Sequence, residues 1–344
     1  MWSWWIEFFT ARHPAPEKSA SKRTPPTASL DKAPLSNSTG QDNLSAREWI
    51  STEFYHYLLG ASGKELESAT GTQIYTRLSK TFVKPEVDTS QLPRMPAALP
   101  MLIKMLNDDD ADARSITGAI LSDPNLTGKI LQVANSPLFH IRPDPIESID
   151  QAIFILGKDG IRNLVSTSLF SPMMMSKNKA QEAFTKKAWK WALINASTAE
   201  TLARHSNLNP SEYYLWGLFP PLAHLLIFQQ TYAAYQKISE KYQPEAIVVE
   251  KLLNGFVWHF CVQLAKNWKL PKQSAITFAE MMHKDNYQRP HLPLADAMTL
   301  SQALILNHEF RDRVPSHILQ EALQSHDQAI GKATKTAIDK LTAC

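Results

Sequence analysis

From Leu92 onward, apolar residues recur every three or four positions, in short runs that Pro, Gly or Asp closes. Stripes of that period can be buried only by packing helices on one another, so they restrict the fold more than any other feature. Leu99, Leu102, Ile103 and Leu106 give one such face. Ser122-Asp123-Pro124 stops one helix and starts the next: Asp123 caps, and Pro124 takes the first helical position. Leu126, Ile130, Leu131 and Ala134 follow, until Asn135-Ser136-Pro137 ends the run. Ser148 with Gln151 reads as a capping box ahead of Ala152, Ile153, Ile155 and Leu156. Gly157 closes that helix, and Ile161, Leu164, Val165 and Leu169 carry another. Only 11 Gly occur, alternating Val/Ile/Thr runs are absent, and no βαβ alternation, P-loop or Gly-rich dinucleotide turn appears. These features predict an all-α protein, a compact multi-helix bundle.

The 344 residues suffice for one large domain with appendages. A net charge of +3 supplies no electrostatic case for nucleic acid as the main partner, and none is predicted. Cys261 and Cys344 are too few for a disulfide framework or a four-thiolate zinc site, which fits a reducing, cytoplasmic setting. No stretch approaches about 18 uncharged apolar residues, so no membrane-spanning helix is expected.

Residues 1–10 form an aromatic peptide carrying Trp2, Trp4, Trp5, Phe8 and Phe9. It lacks the basic start and small-residue cleavage site of a signal peptide. Three roles are open to it: folding back on its own domain, docking in a partner groove, or contact with a membrane interface. Residues 11–43 read as a disordered linker, because 18 of these 33 residues are Pro, Ser, Thr or Ala. A peptide on such a tether reads more as a docking element than as core. Order is expected from Leu44, with a capping box at Ser45 and Glu48 and a helix through Ile50, Phe54 and Leu58 to Gly60. A second run through Ile74, Leu78 and Phe82 completes an N-terminal helical pair over 44–84. Leu294, Ala297, Leu300, Ala303 and Leu304 open a helical C-terminal extension over 286–344 that carries no recognisable chemistry.

Four motifs stand in order within the central segment: Leu92-Pro93-Arg94-Met95-Pro96, Leu121-Ser122-Asp123-Pro124-Asn125-Leu126-Thr127, Leu131-Gln132-Val133-Ala134-Asn135-Ser136, and Ser148-Ile149-Asp150-Gln151-Ala152-Ile153 with Leu156-Gly157 and Arg162-Asn163-Leu164-Val165. Together they resemble the HDOD family, helical bacterial signal-transduction modules related to the HD-type metal-dependent phosphohydrolases. The resemblance spans residues 88–285. It weakens after residue 170, although Trp268-Lys269-Leu270-Pro271 is similar to the family's closing motif.

The resemblance also implies where a metal centre would stand. A working HD phosphohydrolase carries a helix-borne His, a His-Asp pair and further ligands, because divalent ions must activate a water and neutralise phosphate charge. By alignment the first position holds Trp191, the pair falls on Pro220 and Pro221, and the later positions hold Phe256 and Val257. None of these side chains is a metal ligand. The resemblance therefore implies a non-enzymatic pseudoenzyme acting as a protein-binding adaptor or scaffold, with no cofactor and with signalling proteins as partners. Two alternatives stay open, a divergent metal-dependent phosphohydrolase and a non-catalytic nucleotide or small-molecule sensor.

His224, Trp258 and His259 lie near the aligned positions and either line a vestigial pocket with Trp191 or pack as core. Asn135 and Ser136 with Arg142 make a polar turn that either contacts a partner or anion or serves as a helix cap. Asp108, Asp109, Asp110 and Asp112 read as a solvated turn, since the Gly and terminal Glu of a calcium loop are missing. His326-Asp327 is a pair that chance supplies about 0.5 times in this composition, and it lies outside the resemblance. Cys261 reads as a buried small hydrophobe, and Met173-Met174-Met175 as core. Pro220-Pro221 predicts a helix break, with one helix near 210–219 and a restart at Pro221.

Overall fold

The computed structural model describes residues 45–61, 67–83, 92–107, 113–136, 139, 144–175, 179–239, 242–282, 293–310, 314–315 and 317–318. The aromatic peptide with Trp2, Trp4, Trp5, Phe8 and Phe9, the 11–43 segment, Asp108, Asp109, Asp110, Asp112, Arg142 and His326-Asp327 lie outside the described residues. Among the described residues every regular element is a helix.

Helix α1 (Ala46–Leu59) starts where Ser45 Oγ accepts from the Glu48 N–H at 3.3 Å while the Glu48 carboxylate accepts from the Ser45 N–H at 3.1 Å. It ends at Gly60, whose φ of 67° is the left-handed conformation a C-cap needs. Helix α2 (Ala69–Phe82) buries Ile74, Leu78 and Phe82, one residue per turn. Helices α3 (Leu99–Asn107), α4 (Ala113–Leu121) and α5 (Pro124–Ala134) are short. Asp123 caps α5 by accepting from the N–H groups of Asn125 and Leu126.

Helix α6 (Ile149–Phe170) is broken at Gly157, where φ is 71°. Ser148 Oγ accepts from the Gln151 N–H at 3.1 Å, but the Gln151 side chain accepts from the Glu147 N–H at 2.8 Å. The reciprocal bond of the expected box is thus displaced by one residue. Helices α7 (Lys179–His205), α8 (Pro210–Gly217), α9 (Phe219–Gln236), α10 (Ala246–Asn267), α11 (Lys272–Glu280) and α12 (Pro293–Glu309) complete the order.

The break before α9 comes at Leu218, and the helix restarts at Phe219, two residues ahead of the Pro221 restart that the sequence predicts. Pro220 and Pro221 occupy the second and third helical positions instead. N–H groups there have no intrahelical partner, so two prolines fit without loss of a bond. Helix α10 is long and apolar enough to cross a membrane by length and composition, where the sequence reading expected no such helix. Here 61% of that stretch is buried inside the fold.

Helix α7 is the axis of the core and packs against α1, α8, α9 and α12. On one side α10 joins α9 to α11 and carries α1 and α2; on the other, α3, α4 and α5 gather around α6, which meets α8. The Arg162-Asn163 motif lies where α6 faces α7. Asn163 Nδ2 donates to Glu200 of α7 at 2.9 Å, and Arg204 bridges Glu200 at 3.1 Å and Asp159 of α6 at 3.3 Å. Met174 is buried, as is Cys261, whose thiol burial pushes well above the usual range.

A charged clasp holds α1 on α10. His56 Nδ1 faces Glu53 at 3.7 Å and Nε2 faces Glu250 of α10 at 3.8 Å, while Glu53 is 1% exposed. Hydrogen bonding to Glu250 and then Glu53 raises the His56 pKa to about 9 against the desolvation that opposes it. A group whose folded pKa is raised contributes stability fully below its unfolded value of about 6.5 and loses it as pH climbs through its folded value. Stability measured by chemical denaturation is therefore expected to fall from pH 6.5 to about pH 9. The fall is expected to flatten in His56→Gln, and an unchanged slope in that variant refutes the clasp.

Candidate functional site

The first aligned position, Trp191, lies on the interior face of α7. Trp191 is 0% exposed. Its Nε1–H donates to Ser301 Oγ of α12 at 3.0 Å. The Ser301 hydroxyl proton lies between two acceptors at 3.1 Å, Asn195 Oδ1 and the Met298 carbonyl. Asn195 Nδ2 in turn donates to the Gly217 carbonyl at 2.7 Å. One hydrogen-bond chain thus runs from α12 through α7 to the last residue of α8.

Gly217 is required by close approach, not by its own torsion. A Cβ there would stand 2.7 Å from Ala196 Cα and 3.1 Å from Ala196 N. Because α8 comes so near α7, its final carbonyl reaches Asn195, and the chain turns into α9 immediately after it. Pro220 and Pro221 are buried in that first turn.

One turn later His224 is 0% exposed. Its ring meets the Trp191 ring edge-on, with centroids 4.8 Å apart at 89°, and lies 5.6 Å from Tyr55 of α1. Phe54 of α1 closes the other side of Trp191 at 4.8 Å. A carbonyl only accepts, so the 2.7 Å contact of His224 Nδ1 with the Pro220 carbonyl assigns the proton to Nδ1. Nε2 remains a buried acceptor without a partner among the described residues. Burial pushes the His224 pKa down to about 4, so the ring is neutral at neutral pH.

The remaining sequence candidates have other neighbours. Trp258 stacks toward Phe278 at 6.5 Å. His259 is half-buried beside Gln263, its pKa lowered by burial and by Lys266. Phe256 packs edge-on against Phe82 at 5.4 Å, and Val257 is buried. Ring contact therefore joins Trp191 to His224 but gives Trp258 and His259 different surroundings.

The Asn135 side chain donates to the carbonyls of Leu131 at 2.9 Å and Ile146 at 2.8 Å and accepts from the Ile146 N–H at 2.7 Å. It clasps the end of α5 to the chain entering α6. Ser136 is 1% exposed, where the sequence reading left an exposed polar turn open.

A divalent ion needs converging imidazole and carboxylate donors. Among the described residues no three His, Cys, Asp or Glu side chains converge in a group that could hold one. The groups at the aligned positions do not fit a metal: an indole N–H is a donor only, and the prolines, Phe256 and Val257 supply nothing. Asn195 and Ser301, which organise this interior, escaped the sequence reading. A small polar residue in an apolar helical run, as each of them is, was the available signal.

Comparison with known proteins places this arrangement. The HDOD domain family model matches residues 92–284. Among solved structures, an HDOD domain protein of unknown function from Geobacter sulfurreducens superposes with a TM-score of 0.52 at 19% identity, covering 79% of this chain and 98% of that one. A protein of Shewanella amazonensis SB2B provisionally named a metal-dependent phosphohydrolase gives 0.54 at 16% identity, covering 79% and 100%. A protein of Marinobacter aquaeolei VT8 provisionally named a signal transduction protein gives 0.50 at 16%, covering 88% and 66%. At such identities these likenesses speak to the fold. A search of curated proteins returns no match.

Two substitutions test the interior. Ser301→Ala leaves the buried Trp191 N–H and Asn195 Oδ1 without partners and is expected to lower unfolding free energy by about 1–3 kcal/mol. Gly217→Ala forces α7 and α8 apart and is expected to cost about 1–3 kcal/mol or more, since the atoms it meets are backbone. Urea denaturation reads both. A Gly217→Ala protein as stable as the parent overturns the close-approach argument.

Proposed function

The chain belongs to the HDOD domain family, and from that premise we propose that it is a non-enzymatic signalling module, an adaptor or scaffold that binds other proteins. The observation that carries the reading is the Trp191 interior. Where the resemblance implies the first metal ligand, an indole is hydrogen-bonded to Ser301 and walled by Phe54 and His224. Phosphoryl transfer requires charge stabilisation beside a water-accessible substrate, and these buried aromatic surfaces supply neither.

Binding then falls to the helical surfaces and to the aromatic peptide at residues 1–10, read as a docking element on its tether. Signalling proteins are the partner class, and the cytoplasm is the compartment that two cysteines, one of them the buried Cys261, accord with.

Metal analysis of the purified full chain, with hydrolysis of bis(p-nitrophenyl) phosphate in added Mn²⁺, Fe²⁺ or Mg²⁺, tests the reading. Metal well below stoichiometric amounts and turnover no faster than protein-free controls are expected. Tightly held stoichiometric metal accompanied by turnover overturns it in favour of a divergent phosphohydrolase.

A further inference from the structure

Helix α1 carries an apolar residue at every fourth position, and Ala46, Ile50, Phe54 and Leu58 are all buried. That spacing sets them in one stripe along the helix. The helix packs against α7, α10 and α12. Phe54 meets Trp191 of α7 at 4.8 Å, and Tyr55 meets His224 of α9 at 5.6 Å. Glu48 is the one residue of α1 that is exposed. The groove that encloses this helix is built mostly from the segment the family model matches, residues 92–284, which contains α7, α9 and α10. Both α1 and α12 lie outside that segment.

Each of the three neighbours adds one polar contact to α1. Arg47 Nη2 donates to Asp296 Oδ1 of α12 at 2.6 Å, in the first turn. His56 faces Glu250 of α10 at 3.8 Å. Lys187 Nζ of α7 donates to the Tyr57 carbonyl in the last turn and stands 4.7 Å from the centroid of the Tyr57 ring. Two carboxylates of the groove thus take two cations of the helix, and a lysine takes a carbonyl at its C-terminal end. Contacts of this kind fix register and direction.

The caps of α1 are its own. Ser45 and Glu48 satisfy its start, and the Gly60 N–H donates to the His56 and Tyr57 carbonyls at its end. Among the described residues its backbone–backbone bonds stay within residues 45–61. Side-chain contacts therefore hold this helix in the groove, and it can leave without breaking a backbone–backbone bond of the domain. The 14-residue helix is marginal alone, because short isolated helices are unstable in water.

We propose that the groove between α7, α10 and α12 is a helix-docking site, and that α1 is its resident, autoinhibitory occupant, displaced by a cationic amphipathic helix of a partner protein. The resident shows what the groove accepts: an apolar stripe with a residue at every fourth position, one cation in the first turn for Asp296 and another near the end for Glu250. Charge complementarity selects a basic helix over an acidic one. An empty groove leaves the Trp191 surface open to water, so release of α1 is coupled to its replacement. The inference rests on the protein-binding reading above. The turnover assay reports on the absence of catalysis separately, so each fails alone.

The test uses the full chain and a fluorescein-labelled synthetic peptide of residues 45–61, followed by anisotropy. In the parent the tethered helix competes at high effective concentration, so weak peptide binding is expected. Phe54→Ala weakens the resident and is expected to bind the peptide at least about tenfold more tightly than the parent does. A peptide with the same Phe54→Ala change, or one of the same composition in scrambled order, is expected to bind that variant at least about tenfold more weakly. The native-order peptide is expected to raise the variant's thermal midpoint, as a ligand of the folded state does. Arg47→Ala cuts the Asp296 contact and leaves the apolar stripe whole, so it carries the comparison where Phe54→Ala fails to fold. Hydrogen exchange on the parent needs no variant: α1 amides are expected to exchange at least about tenfold faster than those of α7. Equal peptide affinity for parent and variants, no binding by either variant, equal binding of the scrambled peptide, or one common exchange rate for α1 and α7 overturns the proposal.

Discussion

The approach of α8 to α7 at Gly217 is the constraint on which the interior depends. With no side chain at that residue, the α8 carbonyl comes close enough for Asn195 to donate to it. Asn195 then presents its oxygen to Ser301, and Ser301 accepts the Trp191 indole proton. Four helices (α7, α8, α9 and α12) are positioned by this one contact and its consequences, because the chain turns into α9 immediately after it. A core held by a hydrogen-bond chain admits little rearrangement, since each missing partner strands a buried polar group.

The same economy governs the rest of the buried polar chemistry. Asn135 spends three hydrogen bonds on joining the end of α5 to the approach to α6. Asn163, Glu200, Arg204 and Asp159 tie α6 to α7. His56 lies between two carboxylates of different helices. The His224 Nε2 takes no part in such a bond among the described residues and stands as a buried acceptor on a neutral ring beside Trp191. These polar side chains hold helices together.

Local chemistry was legible wherever a signal and its consequence lie within one helical turn. The capping box at Ser45 and Glu48, the Asp123 cap and the breaks at Gly60 and Gly157 all stand where the residues indicate. The same reasoning misplaced the start of α9 by two residues, because it weighed the cost of proline inside a helix above the freedom of the first turn. It left Trp191, His224, Trp258 and His259 open between a shared pocket and ordinary core, and could not tell which of them touch. Residues on three helices become neighbours only through the angles at which those helices cross, and spacing along the chain carries no record of those angles.

The sequence by itself determined that the chain is helical, where most helices begin and end, and that the positions the family resemblance aligns hold indole, pyrrolidine, phenyl and aliphatic groups. These follow from torsional preferences, caps and side-chain chemistry, all of which act locally. Tertiary structure alone decided that Ser301 and Phe54 would close on Trp191, that Ser136 would turn inward, and that Pro93 would meet Trp268. Those outcomes depend on close packing between distant segments, where a fraction of an ångström at Gly217 sets which groups can touch.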